Sequence, residues 1–280
     1  MSTVKGIQKK IDQLKKKGKT IGLVPTMGYL HDGHISLVRR SKKRADVTVV
    51  SVFVNPTQFT PNEDYNKYPR DIKRDRKVLR REQTDILFCP DVSDIYRTNF
   101  QTYTNVENIT KILEGETRPN HFKGVTTIVS ILFNCVKPDI TFFGQKDAQQ
   151  AEIIKRMVND LKFDIKVEVC PIIREKDGLA LSSRNVYLSD KERKDALILN
   201  KSLRLGENMI KNGETSTKKI LSEMKKLINS VDSSNLDYVS IVEKKSFSIA
   251  KSIEKGERYY ILIACKIGTT RLIDNLLVKV

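Results

Sequence analysis

No tryptophan occurs among the 280 residues, and only four cysteines and three histidines do. The cysteines, Cys89, Cys135, Cys170 and Cys265, lie far apart with no CxxC pair, so their spacing suggests neither a zinc site nor a disulfide framework. Three of them fall in apolar runs, where a reduced thiol behaves as a small hydrophobe. A reducing, cytoplasmic setting is expected. No stretch approaches the ~20 apolar residues of a membrane helix. Residues 1–19 are polar and lysine-rich, without the apolar core of a signal peptide. Acidic residues are in short supply: 34 Asp and Glu stand against 51 Lys and Arg, a formal net charge of +17. Such an excess attracts nucleic acid, acidic membranes or phosphorylated small molecules, and charge alone does not choose among them. Several catalytic signatures are also missing. There is no GxGxxG, no P-loop, no GxSxG elbow and no acid pair suited to glycoside hydrolysis, which disfavours dehydrogenase, P-loop and hydrolase readings.

What is present is a core-forming chain, 39% hydrophobic, in which short apolar strands alternate with helices. Strands are expected at residues 20–24, 47–54, 85–89, 139–143 and 165–169. Helices are expected near 34–44, 71–83, 124–136 and 147–161. Val47 to Val54 is β-branched and apolar on both faces, as strands of a parallel sheet are. The repeated βα units indicate an α/β fold with a doubly wound parallel sheet. After Arg174 the pattern changes. Ser189 with Glu192 forms a capping box that opens a long helix to about Asn212, followed by a helix over 217–229. Strands at 236–243, 258–266 and 270–278 complete a small α+β domain. The expected domains are 1–175 and 176–280.

Ligands of open parallel sheets bind beyond the carboxyl ends of the strands, so the loops there carry the functional argument. After the first strand come His31 and His34, bracketing Asp32-Gly33 at a helix start. A helix N-terminus with two imidazoles suits phosphate better than it suits a chance surface pair. After the second strand comes Gln58, a neutral donor and acceptor fit for hydroxyls and a carboxylate. After the 139–143 strand come Gly144, Lys146, Asp147 and Gln150. Gly144 admits a ligand to the backbone, Lys146 is a point charge for phosphate, and Asp147 either caps the next helix or meets ribose. At the domain boundary, Ser182-Ser183-Arg184 offers hydroxyls and a guanidinium fork to a polyphosphate. Taken singly, most of these residues read equally well as solvated surface. In order at successive strand ends, they favour a nucleoside triphosphate site.

Several longer runs resemble the pantoate–β-alanine ligase family, within the nucleotidyltransferases that carry an HxGH signature. The runs are VPTMGYLHDGH (24–34), VSVFVNPTQF (50–59), NEDYNKYPR (62–70), LEGETRPNHFKGVTTIV (113–129), PDITFFGQKDAQQ (138–150), DGLALSSRNVYLS (177–189) and TRLIDN (270–275). The resemblance implies a Rossmann-like N-terminal domain, a smaller C-terminal lid and a homodimer. It implies that ATP, with Mg²⁺, activates D-pantoate as an acyl adenylate that β-alanine then attacks. Carried over residue by residue, it places Met27, His31, His34, Gly144, Lys146, Asp147, Ile173, Ser182, Ser183 and Arg184 at ATP. His34, His31, Lys146 and Arg184 would carry the chemistry, with His34 the active-site acid. Gln58 and Gln150 would bind pantoate, and Gln58 would also lie near β-alanine. His121 and Tyr68 match family positions near the site. Asp75 is a candidate carboxylate for the metal.

The sequence departs from the family pattern at Tyr29, Thr57, Gln145, Asn120 and the Ile95-Tyr96-Arg97 segment, none of which has a chemical role above. Two other readings compete. A nucleotidyltransferase acting on a phosphate ester would not need paired glutamines for an uncharged diol. A nucleic-acid binder would need a clustered basic face with stacking aromatics, whereas the cations here are spread through the chain. Small-molecule substrates, without nucleic acid or membrane partners, are therefore expected.

Overall fold

The structure, a computed structural model, describes residues 1–60 and 63–280. Pro61 and Asn62 lie outside the described residues, so the NEDYNKYPR run is seen from Glu63 onward. The chain divides into two compact units. One comprises Met1–Gln145 and Gln149–Pro171, the other Lys146–Ala148 and Ile172–Val280.

The first unit is built on five parallel strands in the order β3-β2-β1-β4-β5. They are β1 (Ile21–Thr26), β2 (Val47–Val52), β3 (Ile86–Phe88), β4 (Ile140–Gly144) and β5 (Lys166–Cys170). Its helices are α1 (Val4–Lys15), α2 (Asp32–Lys42), α3 (Ile72–Arg81), α4 (Val92–Ile95), α5 (Glu114–Thr117), α6 (His121–Val136) and α7 (Ala148–Asp160). Side chains alternate across the strands with period two. Leu23, Val49, Phe88 and Phe143 enter a core with Ile7 and Ile11 of α1, Val129 and Phe133 of α6 and Ile153 and Met157 of α7. Val24, Val50 and Phe142 face the opposite way, against Leu37 and Val38 of α2 and Leu79 of α3. The sheet is thus covered on both faces, which is why its strands read as continuous apolar runs.

Helix α1 has no counterpart in the sequence reading, where residues 1–19 register only as polar. Its apolar stripe is narrow: Ile7 and Ile11 are fully buried, and Val4 and Leu14 pack against the same core. Thr3 caps it, its hydroxyl accepting the Gly6 N–H at 3.1 Å.

The second unit pairs an antiparallel sheet, β6 (Ser234–Glu243), β7 (Arg258–Ile267) and β8 (Thr270–Lys279), with α8 (Asp190–Asp195), α9 (Leu197–Lys211) and α10 (Thr217–Asn229). Leu199, Leu203, Ile220, Met224 and Ile228 pack on Ile241, Ile261 and Ile263. The expected capping box is present: Ser189 and Glu192 satisfy each other's backbone amides. The single long helix expected from 189 to 212 is instead two. The turn tightens at buried Ala196, whose carbonyl accepts the Leu199 N–H, and Asp195 accepts the Ser233 hydroxyl at 2.7 Å. All four cysteines are free thiols. Burial pushes Cys135, Cys170 and Cys265 up to about 11 and raises Cys89 as well.

One glycine in α6 decides how close the loop after β2 can come. A Cβ on Gly124 would lie 2.4 Å from the Thr57 carbonyl oxygen and 2.7 Å from the Gln58 nitrogen. Both are backbone atoms and cannot swing aside. Gly124→Ala is therefore expected to destabilise the protein by about 1–3 kcal/mol through overpacking, despite alanine's better helix propensity. Urea unfolding followed by circular dichroism checks this, and an unchanged or higher midpoint would show that the loop relaxes freely.

Candidate active site

In this strand order β1 and β4 are neighbours whose connections run outward in opposite directions, the position where doubly wound sheets hold ligands. The turn after β1 is tightly specified. Gly28 sits at φ +87° and Tyr29 at φ +50°. A Cβ on Gly28 would approach Val52 Cγ1 to 2.9 Å and Asp75 Oδ2 to 3.1 Å. Asp75, 1% exposed on α3, accepts the N–H of Tyr29 on Oδ2 and that of Leu30 on Oδ1, each at 2.8 Å. Burial raises the Asp75 pKa, opposed by these two amides and by Arg74. Arg74 also stacks over the Tyr29 ring, 4.8 Å from its centroid. Asp75, expected as a possible metal ligand, shapes the turn through both of its oxygens. Among the described residues no group of three or more His, Cys, Asp or Glu is placed to hold a metal ion.

The turn delivers both histidines to the start of α2. His31 is the N-cap, its Nδ1 accepting the Gly33 N–H at 3.1 Å, and His34 Nδ1 accepts the His31 N–H at 3.4 Å. This is a capping box made of two imidazoles, with ring centroids 4.1 Å apart. A backbone N–H can only donate, so each Nδ1 is an acceptor. When neutral, each ring then carries its proton on Nε2, as a donor suited to a phosphate oxygen at a helix N-terminus.

Gln58 ends a 3-10 turn, Pro56–Gln58, and is 8% exposed. Its amide orientation follows from fixed partners. The Thr57 N–H donates to Asn55 Oδ1 at 3.4 Å, and the Gly124 carbonyl accepts from Asn55 Nδ2 at 3.1 Å. These set which end of Asn55 is oxygen, and the Thr57 and Tyr96 hydroxyls add to Oδ1 at 3.0 and 2.8 Å. Asn55 Nδ2 then donates to Gln58 Oε1 at 3.1 Å. Among the described residues, Gln58 Nε2 meets only the weak acceptor Met27 Sδ, at 2.9 Å. Gln58 accordingly presents N–H groups rather than an acceptor to a ligand. Asn55, Tyr96 and Thr57 have no chemical role in the sequence reading, although Asn55 and Thr57 lie in the quoted NPTQF run.

The Gln58 carbonyl is held as well. His121 Nδ1 lies 2.8 Å from it, and Arg118 Nη1 lies 3.1 Å from His121 Nε2. The carbonyl only accepts and the guanidinium only donates, so His121 is the neutral Nδ1–H tautomer. Arg118 is paired with Glu63 through Nε and through Nη2, the latter at 3.1 Å, and lies 3.9 Å from Glu114. Burial acts to raise Glu63, but the hydrogen bond and charge of Arg118 outweigh it and hold the carboxyl below its usual range. Tyr68, 7% exposed, stacks edge-on against Phe59 in the same region.

Gly144 closes β4 and pairs with Cys170. Gln150 is half-buried in the first turn of α7. Its neighbour Gln149 is buried, accepting the Glu114 N–H and donating to Ile109 and Ile112 carbonyls. Lys146 and Asp147 fall within the second unit. There Asn275 Nδ2 donates to the Lys146 carbonyl at 2.9 Å, and the neighbouring Asp274 forms a two-pronged pair with Arg174 at 2.6 and 2.8 Å. This gives the TRLIDN run a structural task. The Ile173 carbonyl accepts the Leu181 N–H at 3.0 Å. Ser182 caps a 3-10 turn, Ser183–Tyr187, by accepting the Arg184 N–H at 3.2 Å, and Ser183 is buried.

Burial first, and the Arg118 charge second, push His121 down to about 4 from an ordinary 6.5. Arg118, Glu63 and Glu114 are the charged groups acting on it, the two carboxylates in the opposite direction. Between those values the unfolded chain binds the extra proton and the folded one does not. Stability is therefore expected to fall as pH drops from about 6.5 toward 4, by up to about 3 kcal/mol from this residue. Denaturant unfolding across that range checks it: His121→Asn should flatten the slope, and an unaltered slope would show that other groups carry it.

No helix among the described residues is long and apolar enough to cross a membrane. The family profile of pantoate-beta-alanine ligase matches residues 1–277. Pantothenate synthetase of Pseudothermotoga lettingae is 50% identical over 275 residues, covering 96% of this chain and 97% of its own. That of Acetivibrio thermocellus is 50% identical over 280 residues, covering 100% and 99%. Among solved structures, pantothenate synthetase from Thermus thermophilus matches with a TM-score of 0.92 and 41% identity, covering 99% of this chain and 98% of that one. Pantoate-beta-alanine ligase from Francisella tularensis, complexed with beta-gamma ATP and beta-alanine, matches with a TM-score of 0.81 and 34% identity, covering 99% and 96%. On a match that runs through nearly every residue, this chain belongs to the pantoate–β-alanine ligase family.

Proposed function

We propose that the protein condenses D-pantoate with β-alanine at the expense of ATP, through a pantoyl-adenylate intermediate. The observation that carries this reading is the imidazole capping box at the start of α2, with the donor face of Gln58 nearby on the neighbouring strand's loop. Cationic or N–H donors suit phosphate and carboxylate oxygens, and no acid pair is needed. In the first step a pantoate carboxylate oxygen attacks the α-phosphorus of ATP and the bond to the bridging oxygen breaks, releasing pyrophosphate. In the second, the neutral amine of β-alanine attacks the acyl carbon. AMP leaves with the former carboxylate oxygen, and the amine gives up a proton. Activation is needed because a free carboxylate has no adequate leaving group, whereas AMP is one. The first transition state calls for alignment and charge neutralisation more than for proton transfer.

In this reading His31 and His34 donate to phosphate oxygens through Nε2, with His34 the acid for the departing group. Lys146 and Arg184 neutralise the charge that develops, and Ser182 and Ser183 donate to the phosphates. Gly144 and Asp147 meet the ribose, Ile173 the adenine through its backbone, and Met27 lines the nucleotide site. Gln58 donates to a pantoate oxygen and Gln150 completes that subsite. Mg²⁺ would accompany ATP as part of the substrate and would add its charge neutralisation to that of Lys146 and Arg184. A homodimer is supported by the family resemblance, and a cytoplasmic location by four unpaired thiols.

Pantoate-dependent exchange of labelled pyrophosphate into ATP, run without β-alanine, tests the adenylate directly. Exchange is expected, with AMP and pantothenate appearing once β-alanine is added. Folded protein that binds ATP but shows no exchange with pantoate would remove this acid as the substrate. Lys146→Ala is expected to slow exchange at least ~30-fold, about 2 kcal/mol of lost transition-state stabilisation. A near-wild-type rate would take Lys146 out of the mechanism.

A further inference from the structure

We propose that His121 and Arg118 are positioning residues for Gln58, and that Arg118 ties Gln58 to the segment carrying Glu63. The inference rests on the reading of Gln58 as a pantoate ligand.

The geometry converges on one residue, through the two peptide groups that flank it. The His121 Nδ1–H reaches the Gln58 carbonyl at 2.8 Å, and Arg118 Nη2 approaches the same oxygen at 3.5 Å. On the other side of that residue, the absent Cβ of Gly124 lets the α6 backbone lie against the Thr57–Gln58 peptide. The Gln58 N–H itself makes a long bond to the Asn55 carbonyl, 3.4 Å. The first turn of α6 therefore grips Gln58 from both sides. Asn120, at φ +67°, sets the entry into that turn and so the position of the His121 ring.

The cluster is an expensive way to fill space. Arg118 is 13% exposed in its side chain and His121 7% exposed overall, and burying such groups is repaid only when each finds good partners. An apolar plug of the same volume would hold the fold at least as well. What an apolar plug lacks is a directed donor for the Gln58 carbonyl and a charge for Glu63. The chain Glu63–Arg118–His121–Gln58 sets the height and tilt of the peptide from which the Gln58 side chain projects. Asn55 then sets the rotation of the amide at the far end. A ligand that accepts from Gln58 Nε2 meets a donor whose position is determined at both ends of the residue, so less ordering remains to be done on binding.

The test compares His121→Leu, which removes the donor, with His121→Asn, whose amide places a donor near the former Nδ1. Losing one directed hydrogen bond to the peptide should raise the KM for pantoate ~10-fold or more in His121→Leu, while the KM for ATP moves less than ~2-fold. His121→Asn should return the pantoate KM to within ~3-fold of wild type. Equal losses in both variants, parallel changes for both substrates, or no change in either variant would overturn the proposal. A second arm does not depend on the identity of the acid. Long-range ¹H–¹⁵N spectra of the full chain should show His121 as a neutral Nδ1–H ring at pH 7, and the Gln58 side-chain amide signals should shift in His121→Leu and not in His121→Asn. If wild type fails to exchange pyrophosphate with pantoate, the reading of the substrate fails and this arm alone decides. Gln58 signals that stay put in both variants, or an Nε2–H tautomer, then overturn the positioning role.

Discussion

Asp75 is almost wholly buried, and its two oxygens end on the amides of Tyr29 and Leu30. That grip governs how the chain leaves β1. A turn running through positive φ at both Gly28 and Tyr29 is costly for the tyrosine, and it persists because a carboxylate behind it accepts from successive amides. The turn aims His31 at the N-cap of α2, and the helix then begins with the second imidazole one turn further on. The histidines are thus held by the backbone they cap, and the proposed phosphate site is part of the same hydrogen-bond pattern that starts the helix.

The loop after β2 uses the same economy of parts. Asn55 is satisfied by backbone on both sides and has one amide hydrogen left, which it gives to Gln58. The Thr57 hydroxyl joins this set by donating to Asn55 and meeting Tyr96 at 3.1 Å. It adds a polar contact behind the Gln58 amide and leaves the Nε2 face to the proposed ligand.

The strands of the first unit were legible because parallel strands covered on both faces leave nearly unbroken apolar runs. The strand order follows from the handedness and short connections of βα units. Helix α1 was not legible: a stripe of Val4, Ile7, Ile11 and Leu14 among lysines looks like a solvated tail until a sheet is there to receive it. The break at Ala196 escaped for the converse reason, since alanine is the best helix former and nothing in composition marks a tightened turn. At the site, residue types at strand ends, together with the family runs, pointed to the groups proposed to face the ligand. Their supports were hidden. The sequence offers Asp75 as a carboxylate for a metal and not as the anchor of a turn, and Arg118 meets Glu63 from far along the chain. Amide orientation and imidazole tautomer emerge only when each fixed donor and acceptor has been traced.

The four thiols offer a different kind of consequence. Each is buried to some degree and each is held away from ionisation. Nucleophilic attack on alkylating reagents and the first step of oxidation both require the thiolate, so these sulfurs react slowly at neutral pH. The chain is in effect a silent background for maleimide chemistry. A cysteine introduced on an exposed helix, such as α10, would take up a fluorophore or spin label long before the native four, without any of them having to be replaced.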